Sequence, residues 1–204
     1  MPSRNWRRRV PNPIRIAFAG VPGSGKTSTA RALAGLCGTE IGIKRVELVH
    51  EYARTHIAEY GSIDTLADQF AVSMRQIDWE DRATLAIVDA MVTDCPIHLG
   101  WLYAMYIKQK TKKDAMYASD LFTKLIELNV PPRYDFVFHL PPIEGDFEDG
   151  VRKGEHLDED WRLEADNLVP FIFKLFPPRV FKTVKAVPLL DRVRECLDYI
   201  RTNV

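Results

Sequence analysis

Apolar residues along this chain follow two patterns. Short, nearly unbroken runs suit strands buried on both faces. They fall at 14–19 (Ile14-Arg15-Ile16-Ala17-Phe18-Ala19), 45–49, 90–93, 134–140 and 180–184. Between them, apolar positions recur at helical spacing, as in Leu66, Phe70, Val72 and Ile77. That periodicity predicts helices over 26–36, 51–59, 63–86, 97–107, 114–128, 158–176 and 189–202. Pro2, Pro11 and Pro13 leave residues 1–13 as an irregular arm, and Pro141-Pro142 stops the fourth strand. Residues 143–156 are rich in glycine and acids and read as a loop. Strand and helix alternate throughout, which predicts a five-stranded parallel sheet with helices on both faces. Such sheets bind ligands at the carboxyl ends of their strands. The glycine loop after the first strand, Glu51, Asp94 and the Pro141 turn all fall there.

Composition narrows the class without naming a chemistry. A chain of 204 residues, 46% hydrophobic and 27% charged, suits one globular α/β domain over 14–204 behind a short arm. Cys37, Cys95 and Cys196 lie far apart with no CxxC pair, which argues against a zinc site or disulfide framework and fits a reduced cytoplasmic compartment. No run approaches the roughly 18 apolar residues of a membrane span. Net charge is zero, but it is unevenly spread. Residues 1–39 contain no acid, the arm carries Arg4, Arg7, Arg8 and Arg9, and a basic run holds Lys108, Lys110, Lys112 and Lys113.

The strongest motif is Gly20-Val21-Pro22-Gly23-Ser24-Gly25-Lys26-Thr27, followed by Ser28. Its glycines let the backbone curl so that successive N–H groups meet phosphate oxygens, and the next helix adds its N-terminal dipole. Gly20, Pro22, Gly23, Ser24, Gly25, Lys26, Thr27 and Ser28 therefore form the candidate nucleotide cradle. Lys26 places a charge on the terminal phosphates and the Thr27 hydroxyl suits Mg²⁺. The motif lies between a strand and a helix, the context it needs. ATP with Mg²⁺ is the expected cofactor.

Two acids follow strand ends. Glu51 comes directly after the second strand, in Glu51-Tyr52-Ala53-Arg54, where a carboxylate would orient an acceptor hydroxyl and take its proton. The plainer reading is a helix start, which also favours Glu. Arg54, one turn on, suits an anionic group or the acceptor. Asp94 ends the third strand like an acid that holds Mg²⁺ or faces the substrate, and equally suits an N-cap before Pro96. Asp89 is a weaker alternative for the metal. In the fourth connection, Asp149-Gly150-Val151-Arg152-Lys153-Gly154 places two cations between glycines. That suits a lid over about 142–156 that neutralises charge during transfer, with Arg162 assisting. A solvated loop offsetting its own acids is the alternative.

The order GxxGxGKT, Glu51-Tyr52-Ala53-Arg54, Thr93-Asp94-Cys95-Pro96 and Asp149-Gly150-Val151-Arg152 resembles the ribosylnicotinamide-kinase-like P-loop family. The likeness runs from Ile14 to about Ile200. That family includes the kinase domain of a bifunctional bacterial NAD-biosynthesis regulator and many bacteriophage relatives. The resemblance implies a nucleoside- or nucleotide-kinase-like fold with a lid. It also implies Lys26, Glu51 and Arg152 as catalytic groups, Thr27 and Asp94 at the metal, and Arg54 and Asp94 toward the substrate. Arg152, Lys153 and Arg162 would be the lid cations. No nucleotidyltransferase or helix-turn-helix region accompanies the domain, so those functions are not implied. Cys95-Pro96 looks more like the phage branch, some of whose kinases act on a hydroxymethyl pyrimidine within DNA, in a host cytoplasm.

The acceptor is therefore expected to be a nucleoside-like alcohol, free or within DNA. For DNA, the arginine arm and lysine run would meet phosphates, and Trp6, Trp101, Tyr103 and Tyr106 would stack on bases. Against it, aromatics at helical spacing are usually core, and a neutral chain lacks a nucleic-acid footprint. A partner-directed ATPase or switch is the third reading. Its guanine-reading version is disfavoured by His139-Leu140-Pro141-Pro142 where an NKxD motif would stand.

Overall fold

The computed structural model describes residues 12–85, 88–107, 111–143, 159–185 and 188–204. Most of the arm, residues 108–110 with Lys108 and Lys110, and the expected lid with Arg152 and Lys153 lie outside the described residues.

The strands are β1 (Ile14–Ala19), β2 (Val46–Val49), β3 (Ala90–Thr93), β4 (Phe136–His139) and β5 (Val180–Thr183). All four pairings are parallel, in the order β2-β3-β1-β4-β5. The helices are α1 (Lys26–Glu40), α2 (Tyr52–Tyr60), α3 (Leu66–Leu85), α4 (Leu99–Tyr106), α5 (Lys112–Leu128), α6 (Glu159–Leu175) and α7 (Leu189–Asn203). Each element lies where the apolar pattern put it, with ends moved by up to four residues. Among the described residues, no helix is long and apolar enough to cross a membrane.

Strand alternation divides the core. Ile16 and Phe18 of β1, Val92 of β3 and Phe136 and Phe138 of β4 pack with α1 and α7. Ala17, Ala19, Met91 and Val137 point the other way, into a core with residues of α3, α4, α5 and α6. β1 is central, with β3 on one side and β4 on the other. The connections diverge around its carboxyl end, which opens the crevice that a doubly wound sheet offers to ligands.

A buried polar network fixes the wall of that crevice. Arg133 Nε donates to Glu80 Oε2 at 3.0 Å, and the Tyr134 hydroxyl lies 2.9 Å from both Glu80 oxygens. The Ile97 N–H donates to that same hydroxyl at 2.9 Å. Burial pushes the Glu80 carboxyl above the usual range, against the pull of Arg133 and Tyr134. The network ties α3 to the segment after β3 and to the entry of β4. α2 is different: it has no buried residue. Its attachments include the Tyr52 N–H, which donates to Gln76 Oε1 at 2.7 Å, and an edge-on contact of Tyr52 with Trp79.

Candidate active site

The glycine loop is shaped by close approaches. Gly20 has φ 148°, and a Cβ there would lie 2.4 Å from the Leu140 carbonyl oxygen, so the loop can cross the end of β4 only without a side chain. Gly25 caps α1 in the left-handed region at φ 78°. Lys26 is buried, and its Nζ donates to the Val21 carbonyl at 2.8 Å and lies 3.5 Å from Ser24 Oγ. The ammonium is thus folded over the loop, where a terminal phosphate would sit.

Two arginines hold the loop from outside. Arg162, on α6, donates from Nε to the Pro22 carbonyl at 3.0 Å and from Nη2 to the Ile143 carbonyl at 3.1 Å. Arg192, on α7, donates from Nη1 to the Ser24 carbonyl at 2.9 Å. Both are almost fully buried. Burial pushes the Arg192 guanidinium below its ordinary range. These contacts fix the loop carbonyls outward, as N–H groups that face a phosphate require. Arg162 therefore differs from the expectation of a lid cation. α6 carries it beneath the loop, where the two carbonyls hold it in place. Arg192 was not expected at all. Its partners are more than 160 positions away, and a cation on an amphipathic helix reads as solvated face.

The strand-end acids meet beside the loop. Asp94 is 2% exposed, with the Thr27 hydroxyl beside it. Burial raises its carboxyl above the usual range and the Glu51 carboxylate adds to that, while Thr27, Lys26 and His50 oppose it. Its Oδ1 is buried with no hydrogen-bond partner among the described residues. A buried carboxylate oxygen so placed, beside a hydroxyl, is chemically suited to a hard cation. His50 Nδ1 lies 4.0 Å from Asp94 Oδ2. Glu51 is 5% exposed and is the N-cap residue of α2, yet its side chain makes no capping bond. Its carboxylate lies instead 3.5 Å from Arg54 Nε and faces a cavity. Arg54 itself is not part of the cavity lining.

That cavity, about 580 Å³, opens between α2, α3 and α4. Glu51, Gln76 and Cys95 line it near the strand ends, and Gln69, Ser73 and Gly100 line it farther along α3 and α4. Gln69, Ser73, Gln76 and Glu80 are all buried polar residues of α3. Their spacing of four, three and four places them on one helix face. That polar stripe within a buried face was the unread sequence signal for the cavity.

Two further expectations are corrected. Asp89 precedes β3 at the amino edge of the sheet and is bound by Arg45, whose Nη2 donates to Oδ1 at 2.6 Å. It is remote from the loop and cannot serve the metal. Trp101 packs on Phe122 with centroids 4.9 Å apart, and Tyr103 and Tyr106 face Trp161. Trp101 and Tyr106 join helices to one another and do not line the cavity, whereas Tyr103 also faces it. Lys112 and Lys113 open α5, whose Thr111 and Asp114 form a capping box.

A protein-family profile described as an AAA domain matches residues 15–169. Among solved structures, the fold is similar to that of NadR protein in complex with NR, with TM-score 0.75 and 22% identity over 96% of this chain and 52% of that one. It is also similar to thymidylate kinase from Ehrlichia chaffeensis, with TM-score 0.59 and 17% identity over 94% of this chain and 100% of that one. Deoxyadenosine kinase from M. mycoides with bound dATP gives TM-score 0.60 and 13% identity over 92% and 99%. The chain spans about half the length of the NadR protein. At these identities the likeness is one of fold. No curated protein matches the sequence.

Proposed function

The chain belongs to the AAA domain family, and from that premise we propose that it is an ATP-dependent kinase whose acceptor is the hydroxyl of a nucleoside-like molecule. The observation that carries the reading is the buried Glu51 carboxylate. It lines the cavity between α2, α3 and α4 and is near enough to Asp94, beside Thr27, to raise that carboxyl.

The loop amides, Lys26 and the α1 N-terminus bind the triphosphate. Thr27 and Asp94 would hold Mg²⁺, which would neutralise phosphate charge when bound. Glu51 orients the acceptor hydroxyl and accepts its proton. The acceptor oxygen then bonds to the γ-phosphorus, the bond to the β–γ bridging oxygen breaks, and ADP leaves. Lys26 stabilises the charge on the moving group. Arg152 and Lys153 are assigned to the same task from the lid.

The lining of the cavity favours a free nucleoside over a nucleotide or DNA. Among the described residues it contains Glu51 and Asp64 but no lysine, arginine or histidine. A phosphate-bearing acceptor needs cations where this cavity offers acids. The volume lies in the range of small-molecule sites. A partner-directed ATPase would have no use for an acceptor cavity beside a buried carboxylate.

Labelled ATP with a panel of nucleosides, nucleotides and hydroxymethylated duplex DNA tests the proposal. Label is expected in a nucleoside and to be lost in Lys26→Ala. Label found only in ATP and free phosphate would reject the kinase; label in DNA would reject the acceptor.

A further inference from the structure

Resting on the kinase reading, we infer that Gln69 is the specificity residue of the acceptor site, reading the hydrogen-bonding edge of a planar ring or amide on the far end of the nucleoside.

Two glutamines of α3 line the cavity, and their bonding sets them apart. Gln76 is fully committed: its Oε1 accepts the Tyr52 N–H at 2.7 Å and its Nε2 donates to Thr93 Oγ1 at 3.3 Å. It is a strut between α2 and β3. Gln69 is only 4% exposed. Its Nε2 donates to Ser73 Oγ at 3.3 Å, and among the described residues its Oε1 has no hydrogen-bond partner. Gln69 lines the cavity, so this carboxamide oxygen is free to accept from a molecule that enters there. The cavity is the side from which a partner can come.

The surroundings hold that carboxamide in one orientation. The Ser73 hydroxyl donates to the Gln69 backbone carbonyl at 2.8 Å and so presents a lone pair to Gln69 Nε2. A Cβ at Gly100 would lie 2.4 Å from Ser73 Oγ and 3.4 Å from Gln69 Nε2. Gly100 thus lets α4 close over the pair. The remaining N–H and the carbonyl oxygen of Gln69 then form a donor–acceptor edge facing the cavity.

The distance fits as well. Gln76 holds the residue next to Glu51, and Gln69 lies seven positions earlier, about 10 Å along the helix axis. Glu51 at one end and Gln69 at the other therefore span a sugar and its attached ring. With the hydroxyl on Glu51, the far edge of the ring meets the carboxamide. Ala53, Ile57, Val72 and Ile97 supply apolar lining between them.

The experiment compares wild type and Gln69→Leu for kcat/KM over a panel of purine and pyrimidine nucleosides, with KM for ATP measured in parallel. For the preferred nucleoside, kcat/KM is expected to fall on the order of 10- to 100-fold while KM for ATP is unchanged. Poor nucleosides should change little, so discrimination collapses. A fall equal for every nucleoside, or unchanged discrimination, overturns the assignment. Should Gln69→Leu fail to fold, Gln69→Asn withdraws the same edge by one methylene and carries the same comparison. Wild type that phosphorylates no nucleoside defeats the kinase reading instead, which keeps the two failures distinct.

Discussion

Replacing His98 with leucine should make the protein more resistant to acid by an amount the structure fixes. His98 is 0% exposed and lies 5.0 Å from the ring of Phe176 and 5.5 Å from those of Tyr134 and Phe173. Neither ring nitrogen meets a partner of hydrogen-bonding geometry among the described residues. Burial, helped by the Arg133 charge and weakly opposed by Asn129, lowers its pKa from 6.5 to about 3. The unfolded chain takes up a proton below 6.5 that the folded chain excludes until about 3. Stability from this site is therefore fully present above 6.5 and is lost as pH falls through that window. The limiting slope is about 1.4 kcal/mol per pH unit, so about 2 kcal/mol is gone by about pH 5. The assay is urea unfolding of both proteins at about pH 7.5 and about pH 5. The packing change in His98→Leu acts equally at both values, and the other titrating groups are common to both proteins, so each cancels in the double difference. That difference should be about 2 kcal/mol in favour of the variant. Parallel losses, within about 0.5 kcal/mol, would show that His98 is charged or solvated in the fold.

Glu51→Gln should lower kcat by about 10²- to 10⁴-fold and leave ATP affinity unchanged by equilibrium binding; equal loss of both would move Glu51 to the nucleotide side. Arg192→Met should raise KM for ATP by about tenfold without altering KM for the acceptor, because it frees the Ser24 carbonyl; an unchanged KM for ATP would make Arg192 a packing residue only. Arg133→Met should destabilise the fold by about 3–5 kcal/mol by urea, since Glu80 stays buried without its cation. Adding Glu80→Leu should recover most of that, and a double variant as unstable as the single would refute the charge argument.

What was legible in the sequence was local. Ile14–Ala19, the glycines and Lys26 declare strand, turn and helix within a few positions of one another, so the loop needed no tertiary knowledge. Glu51 and Asp94 were legible because each ends a buried strand, and parallel strands bring their carboxyl ends to one edge. Asp94 stood ahead of Asp89 because the apolar run 90–93 puts Asp89 before β3 and Asp94 after it. Arg162, Arg192 and Gln69 were not legible in that way. The two arginines act on backbone carbonyls, which carry no sequence signature, across most of the chain. Gln69 needed α4 to close over it, and Gly100 permits that only through its missing side chain. Trp101 and Tyr106 of α4 show the converse: their helical spacing already favoured packing over stacking.

The wall of the cavity is uneven in its attachment. α3 and the segment at Ile97 are clamped by the Glu80–Arg133–Tyr134 network, while α2 buries no residue and is held to α3 in part by one N–H bond and one ring edge. In a chain that opens in parts, such a helix belongs to the least protected class. Its amides should exchange with solvent well before those of α3, and an acceptor seated against Glu51 should slow them selectively. The helix that is capped by the proposed general base would then also serve as the door of the cavity. Amide exchange would report the arrival of an acceptor with no phosphate transferred and no label required.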